Sequence, residues 1–316
     1  MSALSIDVGG TSFKVAIVKD GAILTQDRLP HSSERADLDR LAEFCQNMIG
    51  RVAAEDMPTS VGMSLPGIID QELGGMVSAY DKVGYMLDVD LRGWLRDTFS
   101  LPAAVENDGR AALWGEVGYG VARGKRDVVV MTFGTGIGTG ALIDGVALHG
   151  PHEHGAILGG HQQVNPFAGR LCTCGARGCL EAEAGGWSMP AIVKQWPAVS
   201  ESALAGTSGT FSDVAQAAYD GDAVARAIVE HCARVWAVGI VNLVHILDPE
   251  MVVLTGGLMN ASDLVIDTIR EEVNQRIWAT WGRPEITVAA DVYASATLGM
   301  AYLAEVAGQQ KIKDSE

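Results

Sequence analysis

Apolar residues fall in short alternating blocks at the start of the chain and again near its middle. Leu4-Ser-Ile-Asp-Val8 reads as a strand, Gly9-Gly10-Thr11 as a turn, and Phe13 to Val18 as the returning strand, closed by the hairpin signal Asp20-Gly21. Leu38, Leu41, Phe44, Cys45, Met48, Ile49 and Val52 recur at helical spacing, which predicts a helix over 33–54 with Ser33 as N-cap. Ser60 to Leu65 predicts a buried strand running into Pro66-Gly67, with a turn at Gly74-Gly75 and a short helix around Trp94. Ala103 to Glu106 is a strand broken by Asn107-Asp108, and a helix follows from Gly109 to Val117. Asp127 to Phe133 is a continuous β-branched run; Gly134 to Gly140 is a glycine loop, and Ala141 onward returns as another short strand. Further on, the pattern predicts helices over 183–196, 222–247, 262–278 and 294–308, strands over 251–254 and 285–289, and a surface loop over 203–210.

The organisation repeats. Two halves each open on a strand–glycine–strand hairpin, Ile6 to Val18 and Met131 to Ile143, with a glycine-containing boundary near 118–124. Two such halves facing a cleft would grip a nucleoside triphosphate from both sides. Gly136-Ile-Gly138-Thr-Gly-Ala141 has the form of a dinucleotide fingerprint, but that fingerprint needs a helix directly after the glycines, and a strand follows here. A cradle of backbone amides for phosphate survives this test. Asp7, ending the first strand before free glycine amides, suits a metal-bound phosphate chain; a plain hairpin with a polar tip is the alternative. Asp108 has two readings as well: a helix N-cap, or a carboxylate at a strand end, where open α/β sheets bind ligands.

Composition narrows the class. With 316 residues, 48% apolar, and 38 glycines, the chain can bury a substantial core with many tight turns. Its net charge of -16 argues against nucleic acid, because the phosphate backbone would repel such a surface. The opening lacks a secretory signal, and the apolar run Val235 to Leu247, interrupted by Asn242 and His245, is too short to span a bilayer. Three of the five cysteines cluster as Cys172-Thr-Cys174-Gly-Ala-Arg-Gly-Cys179, with His161 upstream. One imidazole and three thiols complete a tetrahedral set for structural zinc, and Gly175 and Gly178 allow the tight turns this requires. Free thiols or a disulfide are the alternatives, but a disulfide would leave one of the three unpaired. Metal-type cysteine clustering fits a reducing compartment, so the expectation is a cytoplasmic protein with no membrane or nucleic-acid partner. Cys45 and Cys232 fall on apolar helix faces and read as core.

Taken together, Asp7-Val-Gly-Gly-Thr11, Pro66-Gly67, Glu106-Asn-Asp108, the 134–140 loop, Cys-x-Cys-Gly-x-x-Gly-Cys-x-Glu and Thr255-Gly-Gly257 occur in an order that resembles the ROK family of sugar kinases and repressors. The similarity spans residue 4 to about 305, and the cysteine run is its most specific part. The resemblance implies an α/β, two-domain actin-like ATPase (ribonuclease H-like) fold with an interdomain active-site cleft. Its lobes would be 1–119 and 120–293, with a terminal helix, 294–316, packing back on the first. It implies ATP-dependent phosphorylation of a free hexose or N-acetylhexosamine at the 6-hydroxyl, with Asp108 as general base. Pro66, Gly67, Asn107, His161 and Glu181 would join Asp108 around the sugar. Asp7, through magnesium, and Gly9, Gly10, Thr11, Lys14, Gly134, Thr135, Gly136, Gly256 and Gly257 would face the nucleotide and its phosphates. His161, Cys172, Cys174 and Cys179 would hold zinc, and a homodimer or homotetramer is expected.

One departure stands out. Family members carry Gly-Glu-x-Gly-His before the zinc histidine, and that glutamate binds sugar hydroxyls. Here the stretch is Gly155-Ala-Ile-Leu-Gly-Gly-His161, so Ile157 or Leu158 occupies the position and a residue is inserted. His152, Glu153 or His154 could compensate, or the sugar or the rate differs. A catalytically weak sugar sensor is the alternative function. Repressors of the family carry an added DNA-binding domain ahead of the first strand, which here begins at residue 4.

Overall fold

The computed structural model describes residues 1–315 except 80, 88 and 281. It divides into two compact units, 1–124 with 147–155 and 294–316, and 125–146 with 156–293. The segment Ala147–Gly155, inside the range 120–293 that the sequence reading gave to the second lobe, groups with the first unit.

The first unit is built on five strands in the order β3-β2-β1-β4-β7. These are β1 (Ser2–Val8), β2 (Ser12–Lys19), β3 (Ala22–Pro30), β4 (Ser60–Leu65) and β7 (Ala103–Asn107). A two-stranded hairpin, β5 (Gly67–Asp70) and β6 (Gly75–Ala79), follows β4. β1 and β2 pair antiparallel, while β1, β4 and β7 run parallel. Central β1 is buried along nearly its whole length, and Leu4, Ile6, Val15, Ile17 and Met63 share one core. Helices α1 (Asp37–Ile49), α2 (Leu91–Phe99) and α3 (Asp108–Gly118) belong here. Cys45 is fully buried on α1, as its apolar spacing requires.

α1 starts later than the sequence suggests, and Ser33 does not cap it. Ser33 takes a left-handed backbone at φ 66, and the N-cap position, Ala36, has no side-chain bond. The carboxylate of Asp37 instead accepts from the amides of Ser32 (2.9 Å) and Glu34 (3.2 Å). The acid at the first helical position thus fixes the turn that leads into the helix, rather than an N-cap side chain closing its first turn.

The second unit repeats the plan in the order β10-β9-β8-β11-β12. Its strands are β8 (Val128–Phe133), β9 (Ile137–Ile143), β10 (Val146–Ala147), β11 (Met251–Thr255) and β12 (Glu285–Val288). β8 and β9 form an antiparallel hairpin, and β8, β11 and β12 are parallel. Helices α4 (Leu180–Ala184), α5 (Met189–Gln195), α6 (Phe211–Tyr219), α7 (Ala223–Leu247) and α8 (Ile266–Arg276) complete it. The helix expected over 183–196 is broken at Gly185-Gly186, and that expected over 262–278 begins as a 3-10 turn before α8. α7 is long and apolar enough to cross a bilayer, but its apolar face is buried within the unit. Fully buried Trp236 on α7 packs against Phe133 and Phe211, at ring separations of 4.8 and 5.7 Å. It is a core helix.

The last helix, α9 (Ser295–Ser315), belongs to the first unit and packs against α3 and β1. Two glycines make the α3–α9 contact possible. A Cβ on Gly299 would lie 1.7 Å from the Ala111 carbonyl oxygen, and one on Gly115 would lie 1.9 Å from that of Ser295. Backbone meets backbone there, with no side chain free to yield. Gly299→Ala is therefore expected to destabilise the protein by about 3 kcal/mol through overpacking, read as a lowered denaturant midpoint; an unchanged midpoint would contradict this packing.

Candidate functional site

Parallel strands deliver their C-terminal ends to one edge of a sheet, and in the first unit β1, β4 and β7 do so. Asp7 closes β1 ahead of the Gly9–Thr11 turn, Pro66-Gly67 follow β4, and Asn107-Asp108 end β7 and start α3. Strand termini of open α/β sheets are where ligands bind, because side chains and free amides converge there. Gly10 and Thr11 are exposed at the hairpin tip, while Lys14 is buried and sits opposite Asp7 in the β1–β2 register. The hydroxyl of Ser64 donates to Asp7 Oδ1 at 2.7 Å, which fixes that carboxylate.

The N-cap of α3 is Asn107, not Asp108. Asn107 Oδ1 accepts from the amides of Gly109 (2.9 Å) and Arg110 (3.3 Å). Its Nδ2 donates to the Gly67 carbonyl (2.9 Å) and to Asp108 Oδ1 (3.1 Å). Both donors and both acceptor positions of the amide are thereby engaged. Asp108 is left at the first helical position, half-buried, with Oδ1 held by the Asn107 side chain and the Gly109 amide at 2.8 Å. Its Oδ2 has no partner among the described residues. Burial, and then the charge of Asp7, push the Asp108 carboxyl up to about 6. A carboxylate with one oxygen anchored, one free and a raised pKa is suited to accept a proton near neutral pH.

In the second unit the parallel ends of β8 and β11 present two glycine turns. The first, Gly134–Gly136, is braced from behind: the Gly186 amide donates to the Gly134 carbonyl (3.1 Å) and the Trp187 amide to that of Thr135 (2.8 Å). The break between α4 and α5 provides this brace, since a Cβ at Gly186 would come within 2.4 Å of the Gly134 oxygen. The second turn begins at Gly256, whose φ of 94 only glycine adopts freely. Gly134, Thr135 and Gly257 line a cavity of about 470 Å³ together with Phe211, Gln216 and Tyr293. That volume lies within the range of small-molecule sites. Sequence reading did not find the α6 wall, although its capping box, Thr210 and Asp213 bonded reciprocally, is a local signal for a helix start.

The four sulfur and nitrogen donors do come together. His161, Cys172, Cys174 and Cys179 place their ligand atoms within 4.8 Å of one another. The Cys174–Cys179 sulfur separation is 3.7 Å, and Cys172 Sγ lies 3.5 Å from His161 Nδ1. Tetrahedral zinc with ordinary bond lengths requires edges of about 3.8 Å between sulfurs and about 3.5 Å between sulfur and nitrogen. The donor set fits zinc. Gly175 and Gly178 carry the positive φ values (88 and 70) expected of the turn. All five cysteines are free thiols, so the disulfide alternative is not realised.

Glu181 connects this loop to the glycine turn. Its Oε2 accepts from the Ile137 amide (3.3 Å), and its Oε1 from Trp187 Nε1 (3.2 Å) and Thr173 Oγ1 (3.4 Å). It is buried, so the carboxylate ties the zinc loop, the first glycine turn and the Gly186 brace into one piece.

The ROK family pattern matches residues 3–307 of the chain. The chain belongs to the ROK family. A glucokinase from Thermotoga maritima is 31% identical over 312 residues, covering 95% of this chain and 96% of its own. A ROK family glucokinase from Streptomyces griseus, solved with glucose and AMPPNP, superposes with a TM-score of 0.82 at 26% identity, covering 97% of this chain and 100% of that one. The xylose repressor of Caldicellulosiruptor bescii is 29% identical over 228 residues, 68% of this chain and 54% of the repressor. The two repeated units are the two domains of the actin-like ATPase fold shared by ROK kinases. In this ROK protein neither candidate for the absent glutamate can replace it chemically: Ile157 is buried and Leu158 is an exposed apolar residue. Arg110, which sequence reading passed over, and Glu106 are buried polar residues flanking Asn107-Asp108.

The zinc assignment has a direct check. Elemental analysis of the purified protein is expected to give about one zinc per chain, and Cys174→Ser to bring it well below half of that with a lowered melting temperature. A metal-free wild type with the same melting temperature as the variant would refute it.

Proposed function

We propose that this protein transfers the γ-phosphoryl group of ATP to a hydroxyl of a free hexose or N-acetylhexosamine, the 6-hydroxyl being the acceptor, with Asp108 as general base. That it is an ATP-dependent sugar kinase rests on the glucokinase relatives spanning almost its full length. The single observation carrying the role of the base is the free Oδ2 of Asp108 on a carboxyl raised to about 6. Oδ2 takes the proton from the sugar hydroxyl as its oxygen attacks phosphorus, and the anchored Oδ1 keeps the carboxylate aimed. In phosphoryl transfer, positioning and charge neutralisation dominate, which is why one oriented carboxylate suffices.

The remaining roles follow the chemistry of each group. The amides of Gly10, Thr11 and Gly134–Gly136 are the phosphate donors, and the cavity at Gly257 is the nucleotide's seat. Asp7, held by Ser64, is the residue that would face magnesium, which when bound neutralises charge on the phosphates. Zinc at His161, Cys172, Cys174 and Cys179 is structural; with all four positions filled by protein, it offers no open site for substrate. His161 and Glu181 are the further sugar-binding residues of this reading. A cytoplasmic location fits five free thiols.

The similarity to a xylose repressor and the apolar Ile157–Leu158 pair motivate a second reading, a sugar sensor with little turnover. A coupled assay with ATP, magnesium and a panel of hexoses and N-acetylhexosamines separates the two: sugar binding without turnover on any member would establish the sensor. For the kinase, Asp108→Asn is expected to lower kcat by about 10²–10⁴-fold while nucleotide binding is retained; equal rates would remove Asp108 from the chemistry. The base acts as carboxylate, the form that predominates above its pKa. Sugar kcat/KM is therefore expected to climb with pH up to about 6 and level off above it. A flat profile between pH 5 and 7, at about constant stability, would contradict the assignment.

A further inference from the structure

The segment Ala147–Gly155 leaves the second unit's strands and joins the unit that carries Asp108. It is a closed loop: the Gly155 amide donates to the His149 carbonyl at 2.6 Å, and the Glu153 amide to that of Gly150 at 3.3 Å. Glu153 itself takes a left-handed backbone, φ 58, an unfavourable choice for a residue with a Cβ. What holds it there is Arg110, a guanidinium with no exposed surface. Arg110 Nη1 donates to the carbonyls of Glu153 (3.1 Å) and Gly155 (3.4 Å), and Nη2 to Glu153 Oε2 (3.3 Å). His149 Nδ1 meets the same Oε2 at 2.7 Å.

The other end of this network reaches the base. Arg110 Nε donates to Glu106 Oε1 at 2.8 Å, and that oxygen also accepts the Asn107 amide at 2.7 Å. The strand end that presents Asn107 and Asp108 and the loop that presents Glu153 are thus referenced to one guanidinium. Two carboxylates, Glu106 and Glu153, share this single cation. Glu153 is about one-fifth exposed, and its Oε1 has no partner among the described residues. An anchored carboxylate with one oxygen free and incomplete charge compensation is a receptor for hydroxyl protons. His149 Nε2, 3.8 Å from Glu106 and about one-third exposed, adds a second polar atom on the same loop.

We propose that Glu153, aimed by Arg110 and His149, is the carboxylate that binds sugar hydroxyls in this chain, in the role the apolar Ile157–Leu158 pair cannot fill. The assignment rests on the sugar-kinase reading above. Arg110 is a positioning residue that acts through Glu153, and Glu153 determines which sugar is held.

The test uses the full-length protein with glucose, mannose, N-acetylglucosamine and their monodeoxy derivatives. Glu153→Gln keeps the shape of the side chain and removes the charge. It is expected to raise the sugar KM, and the dissociation constant from calorimetry, by about tenfold or more, with the KM for ATP unchanged. Arg110→Lys keeps the charge and loses the fork, and should move the sugar KM in the same direction. One monodeoxy sugar, lacking the hydroxyl that Glu153 accepts, should bind wild type and Glu153→Gln equally; a purely structural role would weaken every sugar alike. Wild-type turnover with an unchanged sugar KM in Glu153→Gln would overturn the proposal and leave the kinase reading intact. Sugar binding without turnover, weakened in Glu153→Gln, would support the proposal while overturning the kinase reading. Absence of sugar binding to wild type would overturn both.

Discussion

One side-chain amide, that of Asn107, fixes the geometry on which the first unit's site depends. Its oxygen caps α3 through the amides of Gly109 and Arg110, and its nitrogen holds the Gly67 carbonyl and Asp108 Oδ1. Aspartate is a good N-cap, and with the helix start unsatisfied Asp108 would be drawn to the same amides. Because Asn107 already serves them, Asp108 keeps an unengaged oxygen at a strand end. The nitrogen contact to Gly67 also joins the ends of β4 and β7, so Asp108 and the turn after β4 are set together. A ligand hydroxyl approaching Asn107 meets an amide whose bonding capacity is already in use, and would share one of these bonds.

The second unit solves a similar problem with a carboxylate. A glycine turn offering amides to phosphate must be rigid to bind without an ordering cost, yet glycine is the least rigid residue. Glu181 and the Gly186-Trp187 amides supply the missing rigidity, and the cysteine loop in turn fixes Glu181 through Thr173. The His161–cysteine cluster is thereby connected to the Gly134–Gly136 turn through one buried acid.

Much of this was legible in the chain because the signals are local. The β1–β2 and β8–β9 hairpins show alternation closed by glycine, and the zinc donors lie within one short run apart from His161. β3 escaped notice because it is largely exposed, with the polar run Thr25 to Arg28 between its partly buried Ile23 and Leu29. The Ser33 cap failed because Ser33 lies in a left-handed turn that Asp37 holds through the Ser32 and Glu34 amides, and the helix starts only at Asp37. The Gly185-Gly186 break had a visible cause, but its purpose, bracing a turn some fifty positions earlier, did not. Arg110 was unreadable for the same reason. Its partners in the loop at Glu153 and Gly155 lie about forty positions away, and only the folded chain shows that a cation among helix-forming residues is fully enclosed.

The glycine-to-glycine contact of α3 with α9 has a further consequence, for the order of events during synthesis. Strand β1 and helix α3 leave the ribosome long before α9 exists, yet α9 covers both. The intervening unit, apart from one short excursion, is continuous in sequence and can complete its core first. The earlier-made half must wait, with part of its apolar surface uncovered, until the final helix arrives. Nascent chains stalled before residue 295 should therefore be the ones that chaperones hold.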